Sequence, residues 1–106
     1  MASALLLYLA SSAGDPTTEA EMEAIRIRML EIAEQIAAAF ERTGEARAKI
    51  WEGKERGIVR VYVSRELSRG RWQDMGHIEI NPDGSITVCA GRRSSWVEKV
   101  ARQAVA

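Results

Sequence analysis

Cysteine, histidine and proline are scarce in this sequence, whose 106 residues include one cysteine, one histidine and two prolines. A single cysteine excludes an internal disulfide and a thiol-rich metal site. The leucine-rich run at residues 5–9 is far shorter than the roughly 18 apolar residues that a membrane span requires. No Lys or Arg precedes Arg26, so this run also lacks the basic start of a signal peptide. We therefore expect a cytoplasmic protein with no membrane partner.

Charge is balanced overall but unevenly distributed along the chain. Residues 1–41 carry two basic and seven acidic side chains, a net charge of −5, and residues 42–106 carry thirteen basic and eight acidic side chains, a net charge of +5. This asymmetry indicates either an anionic partner for the second half or two halves that attract each other. The length predicts a single domain over residues 1–106, with the composition of an ordinary globular protein.

Apolar spacing predicts three helices. Residues 1–14 are predicted to form a short helix that is apolar nearly all round, and Gly14, Asp15 and Pro16 are expected to end it and begin the next. A long helix at residues 16–43 has apolar residues at three- and four-residue spacing, which is typical of a face turned to the core. That stripe consists of Met22, Ile25, Met29, Ile32, Ile36 and Ala39 or Phe40. A second stripe of Ile27, Leu30 and Ala37 could receive the first helix or a second copy of the protein.

The last predicted helix, at residues 94–105, is basic. Ser94 or Ser95 can cap it, and Val97 and Val100 begin its apolar stripe. Arg92 and Arg93 lie at its start, where positive charge opposes the helix dipole. Local conflicts of this kind sometimes mark a functional position.

Residues 46–91 predict four antiparallel strands joined as a meander. Val59, Val61 and Val63 alternate with Arg60 and Tyr62, as in a strand with one buried face. The turn predicted at residues 81–84 pairs the strand before it with the strand after it. In this register the isoleucines and valines of the two strands face the core. The outward side, called the open face here, carries Arg47, Lys49, Trp51, Arg60, Tyr62, Ser64, His77, Glu79, Thr87 and Cys89. The sequence therefore predicts an α+β fold, a four-stranded antiparallel β-meander with helices on one face, in the order α-α-β-β-β-β-α.

The open face is the first candidate binding site, because aromatic rings lie among cations on it. Bases stack on such rings and phosphates pair with Lys or Arg, and stacking contributes roughly 1–3 kcal/mol per base. The alternative is a solvated or self-associating face on which Trp51 packs against Arg60. Glu79 on the same face opposes the binding of an anion.

Two further basic segments are candidates. Residues 65–74 predict a surface loop, in which Arg69, Arg71 and Trp72 suit contacts with phosphates and bases. Its alternative is a polar hairpin loop with Trp72 packed over the sheet edge. With the start of the last helix, the predicted nucleic-acid-binding residues are Lys49, Trp51, Arg60, Tyr62, Arg69, Arg71, Trp72, Arg92 and Arg93.

The order helix, strands, helix with a cationic last helix resembles the double-stranded RNA-binding domain in outline, over about residues 22–105. The chain has an extra predicted strand and lacks the Gly-Pro-x-His loop and the paired lysines followed by Ala-Lys of that family. The sequence is therefore not assigned to it.

Catalysis has little support in the sequence. His77 faces Cys89 across two predicted strands, as in a Cys–His nucleophile. Such a pair needs a third orienting group and an oxyanion site, and open mid-strand positions offer no pocket. Asp74, His77 and Glu79 show no recognised metal-ligand spacing. We therefore expect no enzyme activity, no metal and no cofactor. The partners expected are single-stranded or structured nucleic acid. The alternative is a homo-oligomeric interaction or structural module, natural or engineered, that associates through its N-terminal helices or its open face.

Overall fold

The computed structural model describes residues 18–53, 57–91 and 94–106, and it confirms the α+β fold. The elements are helix α1 (Glu19–Arg42), strands β1 (Ala46–Glu52), β2 (Val59–Ser68), β3 (Arg71–Ile80) and β4 (Ile86–Cys89), and helix α2 (Ser94–Val105). The strands form one antiparallel sheet in the order β1-β2-β3-β4. The predicted helix at residues 1–14 and its Gly-Asp-Pro joint lie outside the described residues.

Helix α1 begins later than the sequence indicates, at Glu19 instead of residue 16. Thr18 has extended backbone angles, and its side chain accepts a hydrogen bond from the Glu21 amide at 3.2 Å. This is N-cap geometry, and Glu19 and Glu21 in the first turn complement the helix dipole. Helix α2 begins at Ser94, so Ser95 lies within the helix and does not cap it.

The core lies between the helices and one face of the sheet. From α1 it receives Met29, Ile32, Ala33, Ile36 and Phe40; from the strands Ala46, Val59, Val61, Val63, Met75, Ile78 and Ile80; and from α2 Val97 and Ala101. The Phe40 and Trp96 rings meet edge to face, with centroids 5.5 Å apart. The first predicted stripe of α1 therefore supplies core residues, whereas Ile27 of the second stripe is 46% exposed.

The predicted strand registers are confirmed at both outer pairs of strands. Ile50 pairs with Val61 and Trp51 with Arg60 between β1 and β2. Between β3 and β4, His77 pairs with Cys89, as expected. The Asn81 amide donates to the Ser85 carbonyl at 2.8 Å, which closes the β3–β4 hairpin at the expected turn. Residues 54–56, between β1 and β2, lie outside the described residues.

The prediction of a surface loop at residues 65–74 is wrong. Strands β2 and β3 continue through this segment as a hairpin, with Arg69 and Gly70 as its two-residue turn. Two register shifts interrupt the pairing, and at the first of them Met75 has no partner on β2. Met75 is only 4% exposed, so the bulge turns an apolar side chain into the core. The hairpin forms because its backbone groups pair with each other even where its side chains are polar.

No helix in the described part of the chain is long and apolar enough to cross a membrane.

Candidate nucleic-acid interface

The open face brings together residues from all four strands. Lys49, Trp51, Arg60 and Tyr62 lie on it as predicted, because β1 and β2 pair in the expected register. Beyond the bulge, Ser64 pairs with Asp74 and Glu66 pairs with Trp72, so the face extends along the β2–β3 hairpin. Trp72 therefore belongs to the open face and not to a loop.

Exposed and packed aromatic rings are segregated between the two layers. Trp51, Tyr62 and Trp72 are 41%, 37% and 36% exposed, and all three lie on the open face. Phe40 is fully buried and Trp96 is partly buried in the helix layer. Among the described aromatic residues, those with free ring surface thus occur on one side of the sheet.

Arg60 contacts three other side chains of the open face. Its Nε donates to Glu79 Oε1 at 3.0 Å, and its Nη1 donates to the Tyr62 hydroxyl at 3.2 Å. The guanidinium carbon lies 5.3 Å from the centre of the Trp51 ring. The hydrogen bond to Tyr62, together with the charge of Glu79, raises the pKa of Arg60 above its ordinary value. Arg60 is therefore already neutralised, and its contribution is to hold neighbouring side chains in place.

Arg47 and Lys49, the other cations of the face, have no acidic partner among the described residues. The Arg47 guanidinium lies 3.9 Å from the centre of the Trp72 ring, a cation–π contact. Within the described residues, no salt bridge involves Arg47, Lys49, Arg69 or Arg71. Arg47 and Lys49 alternate with Ala48 along β1, so both side chains belong to the open face.

The remaining predicted arginines lie at the end of the open face, off it, or outside the described residues. Arg69 is exposed in the β2–β3 turn, at the end of the open face. Arg71 precedes Trp72 in β3, and strand alternation turns it to the other side of the sheet. Arg92 and Arg93 lie outside the described residues. Arg65 belongs to the helix side, where it pairs with Glu45 at 2.7 Å and stacks 4.4 Å from the centre of the Trp96 ring.

A second group on the open face includes the single histidine and the single cysteine. The Tyr62 and His77 rings are 5.2 Å apart between centroids, and His77 Nε2 lies 3.6 Å from Glu79 Oε1. One donor atom each from His77, Glu79 and Cys89 falls within 4.8 Å of the others. The sequence places these residues on one face through strand register, but it contains no ligand spacing that would single them out.

Comparisons with protein-family models, with curated proteins and with solved structures found no significant match.

Proposed function

We propose that this domain binds single-stranded nucleic acid on the open face. The segregation of aromatic rings supports this most strongly, because all exposed rings among the described residues share one side of the sheet. Trp51, Tyr62 and Trp72 provide the stacking surfaces. Arg47, Lys49 and Arg69 provide positive charge that no described carboxylate neutralises. Flat sheets with aromatic side chains bind unpaired bases in this manner.

Charge on the face favours binding by stacking with modest electrostatic assistance. Glu66, Asp74 and Glu79 also belong to the open face, so its net charge is small. For single-stranded nucleic acid, three unpaired cations predict a slope of about −2 in a plot of log affinity against log salt concentration. Binding should therefore weaken about 20-fold between 50 and 200 mM salt. A duplex hides the faces of its bases and should bind more weakly.

Fluorescence anisotropy of labelled oligonucleotides tests the proposal. Single-stranded and duplex probes are titrated with the protein at two salt concentrations, in the presence of EDTA so that metals play no part. The protein should prefer the single strand. Trp51→Ala and Trp72→Ala should each weaken binding about fivefold or more, since stacking contributes about 1–3 kcal/mol per base.

Matched controls come from the helix layer. Ile27→Ala removes an exposed apolar side chain from α1, and Lys99→Ala removes an exposed cation from α2. Both variants should bind as the unaltered protein does, whereas Lys49→Ala should weaken binding and reduce the salt slope. Absence of binding at low salt would refute the proposal, as would equal losses in Ile27→Ala and Trp51→Ala.

Assembly is the second candidate function, and exposed apolar side chains favour it. Leu67 is 64% exposed at the second register shift of the β2–β3 hairpin, and Ile27 is exposed on α1. The edge strand β1 carries Arg47 and Lys49, and such charges usually discourage pairing between sheet edges. Light scattering decides the matter: a dimer that is lost on deleting residues 1–14 supports assembly, and a monomer that binds oligonucleotide supports the first proposal.

A further inference from the structure

The His77–Glu79–Cys89 cluster combines three different donor types at one point of the open face. His77 and Glu79 are two residues apart on β3, so both point outward, and Cys89 is the cross-strand partner of His77 on β4. All three side chains are half-buried, and their donor atoms lie within 4.8 Å of one another. We propose that this cluster binds one zinc ion per chain, with water as the fourth ligand.

The distances fit zinc after a small rotation of the side chains. Zinc–ligand distances of about 2.0–2.3 Å at tetrahedral angles place ligand atoms about 3.3–3.5 Å apart. The three donor atoms therefore need to approach one another by at most about 1.5 Å, which side-chain torsions can provide. Zinc accepts thiolate, imidazole and carboxylate together, whereas magnesium and calcium prefer oxygen alone.

Neighbouring side chains orient two of the three ligands. The Arg60 guanidinium donates to Glu79 Oε1 at 3.0 Å, and the same oxygen lies 3.6 Å from His77 Nε2, so Arg60 holds the carboxylate beside the imidazole. The Tyr62 ring packs on the His77 ring at 5.2 Å and restricts its rotation. Outer contacts of this kind are typical of metal sites, where their loss lowers affinity by about 10–100-fold.

The backbone brings the third ligand close. Gly76 precedes His77 in β3 with φ +102°, and a Cβ placed on it would lie 2.3 Å from the Cys89 carbonyl oxygen. Only glycine therefore allows β3 to approach the end of β4 so closely. This approach holds Cys89 beside His77.

Cobalt titration of the metal-free protein tests the site, because tetrahedral Co²⁺ bound to a thiolate absorbs strongly in the visible and near-ultraviolet. We expect these bands to saturate at one Co²⁺ per chain and to disappear on addition of Zn²⁺. Cys89→Ser should abolish the thiolate band. His77→Gln and Glu79→Gln should each weaken binding tenfold or more. Thr87→Ala, which alters the open-face residue between Cys89 and the turn, should bind as the unaltered protein does.

Thiol protection gives a second readout that does not depend on a Cys89 variant. Cys89 is the only cysteine, so its alkylation can be followed by the mass of the whole protein. Zn²⁺ should slow alkylation at least tenfold in the unaltered chain and much less in His77→Gln, with far-ultraviolet circular dichroism confirming that each variant is folded. Three results would overturn the proposal: no spectral change with Co²⁺, equal affinity in His77→Gln and the unaltered chain, or one ion bound per two chains.

Discussion

Replacing Gly76, which lies within β3, by alanine should destabilise the domain more than the same change at Gly70 in the β2–β3 turn. Gly76 adopts φ +102°, which L-residues rarely adopt, and its missing Cβ would lie 2.3 Å from Cys89 O and 2.7 Å from Ala90 Cα. Both contacts are to backbone atoms, so no side chain can rotate away. The β3–β4 pairing must shift to accept the methyl group.

The magnitude follows from three contributions. A non-glycine residue in such a backbone region costs about 1–3 kcal/mol. Inserting a methyl group where there is no space costs typically about 1–3 kcal/mol. Alanine recovers about 0.4–1 kcal/mol by restricting the unfolded chain. We expect Gly76→Ala to lower the free energy of unfolding by about 1–6 kcal/mol and the melting temperature by about 4 °C or more.

Gly70→Ala is the matched control. Gly70 has φ +80° in the β2–β3 turn, but a Cβ there meets nothing within 4 Å. It should lose only about 1 kcal/mol, the backbone cost less the gain from the unfolded chain. Urea unfolding followed by circular dichroism measures both variants. If Gly76→Ala is no less stable than Gly70→Ala, the close approach of β3 to Cys89 is refuted.

Two further substitutions test the core and a turn. Phe40→Ala empties a fully buried position against Trp96 and should lower the free energy of unfolding in urea by about 3–5 kcal/mol. The exposed control Ile27→Ala should change it by less than about 0.5 kcal/mol. A loss below about 1 kcal/mol in Phe40→Ala would contradict the packing. The Ser85 hydroxyl, which donates to Asp83 Oδ1 at 2.6 Å, lowers the pKa of Asp83. The pKa of Asp83 is therefore lower in the folded protein than in the unfolded chain. The hydrogen-bonded carboxylate stabilises the fold at pH values above the pKa of the unfolded chain, and this stabilisation is lost as the pH falls through the pKa of the folded protein. Ser85→Ala should raise the pKa of Asp83 toward its ordinary value in an NMR titration, and an unchanged value would contradict the hydrogen bond.

Hydrophobic alternation was enough to predict the sheet wherever the helices cover it. Val59, Val61 and Val63 must face the core, and a shift of one residue would expose all three. The turn at Asn81 fixes the adjoining hairpin for the same reason. These constraints are local and strong, so the predicted pairings of Trp51 with Arg60 and His77 with Cys89 agree with the structure.

The outer part of the β2–β3 hairpin was predicted as a loop because, beyond the bulge, the two strands form a largely exposed ladder. Glu66, Leu67 and Ser68 are exposed, so no alternation of polar and apolar residues marks the strand. Leu67 also falls at a register shift, which breaks the two-residue period. The available signal was the Arg69-Gly70 pair, a turn of two residues with glycine at positive φ.

The two candidate sites were visible to different degrees. Strand parity alone places Trp51 and Tyr62 on the open face. Trp72 reaches the same face only because the Met75 bulge shifts the parity of β3 by one residue, and a sequence pattern does not reveal such a shift. The His77–Glu79–Cys89 cluster was visible as a cross-strand pair, but its donor distances depend on the backbone approach at Gly76.

Tryptophan indole N–H resonances provide the most direct test of the open face as the binding surface. The chain has three tryptophans: Trp51 and Trp72 lie on the open face, and Trp96 packs against Phe40 and Arg65 in the other layer. In a ¹H–¹⁵N titration with a short single-stranded oligonucleotide in EDTA, the indole signals of Trp51 and Trp72 should shift with saturation, while that of Trp96 should stay in place. Shifts of Trp96 alone, or of none of the three, would contradict the proposed interface.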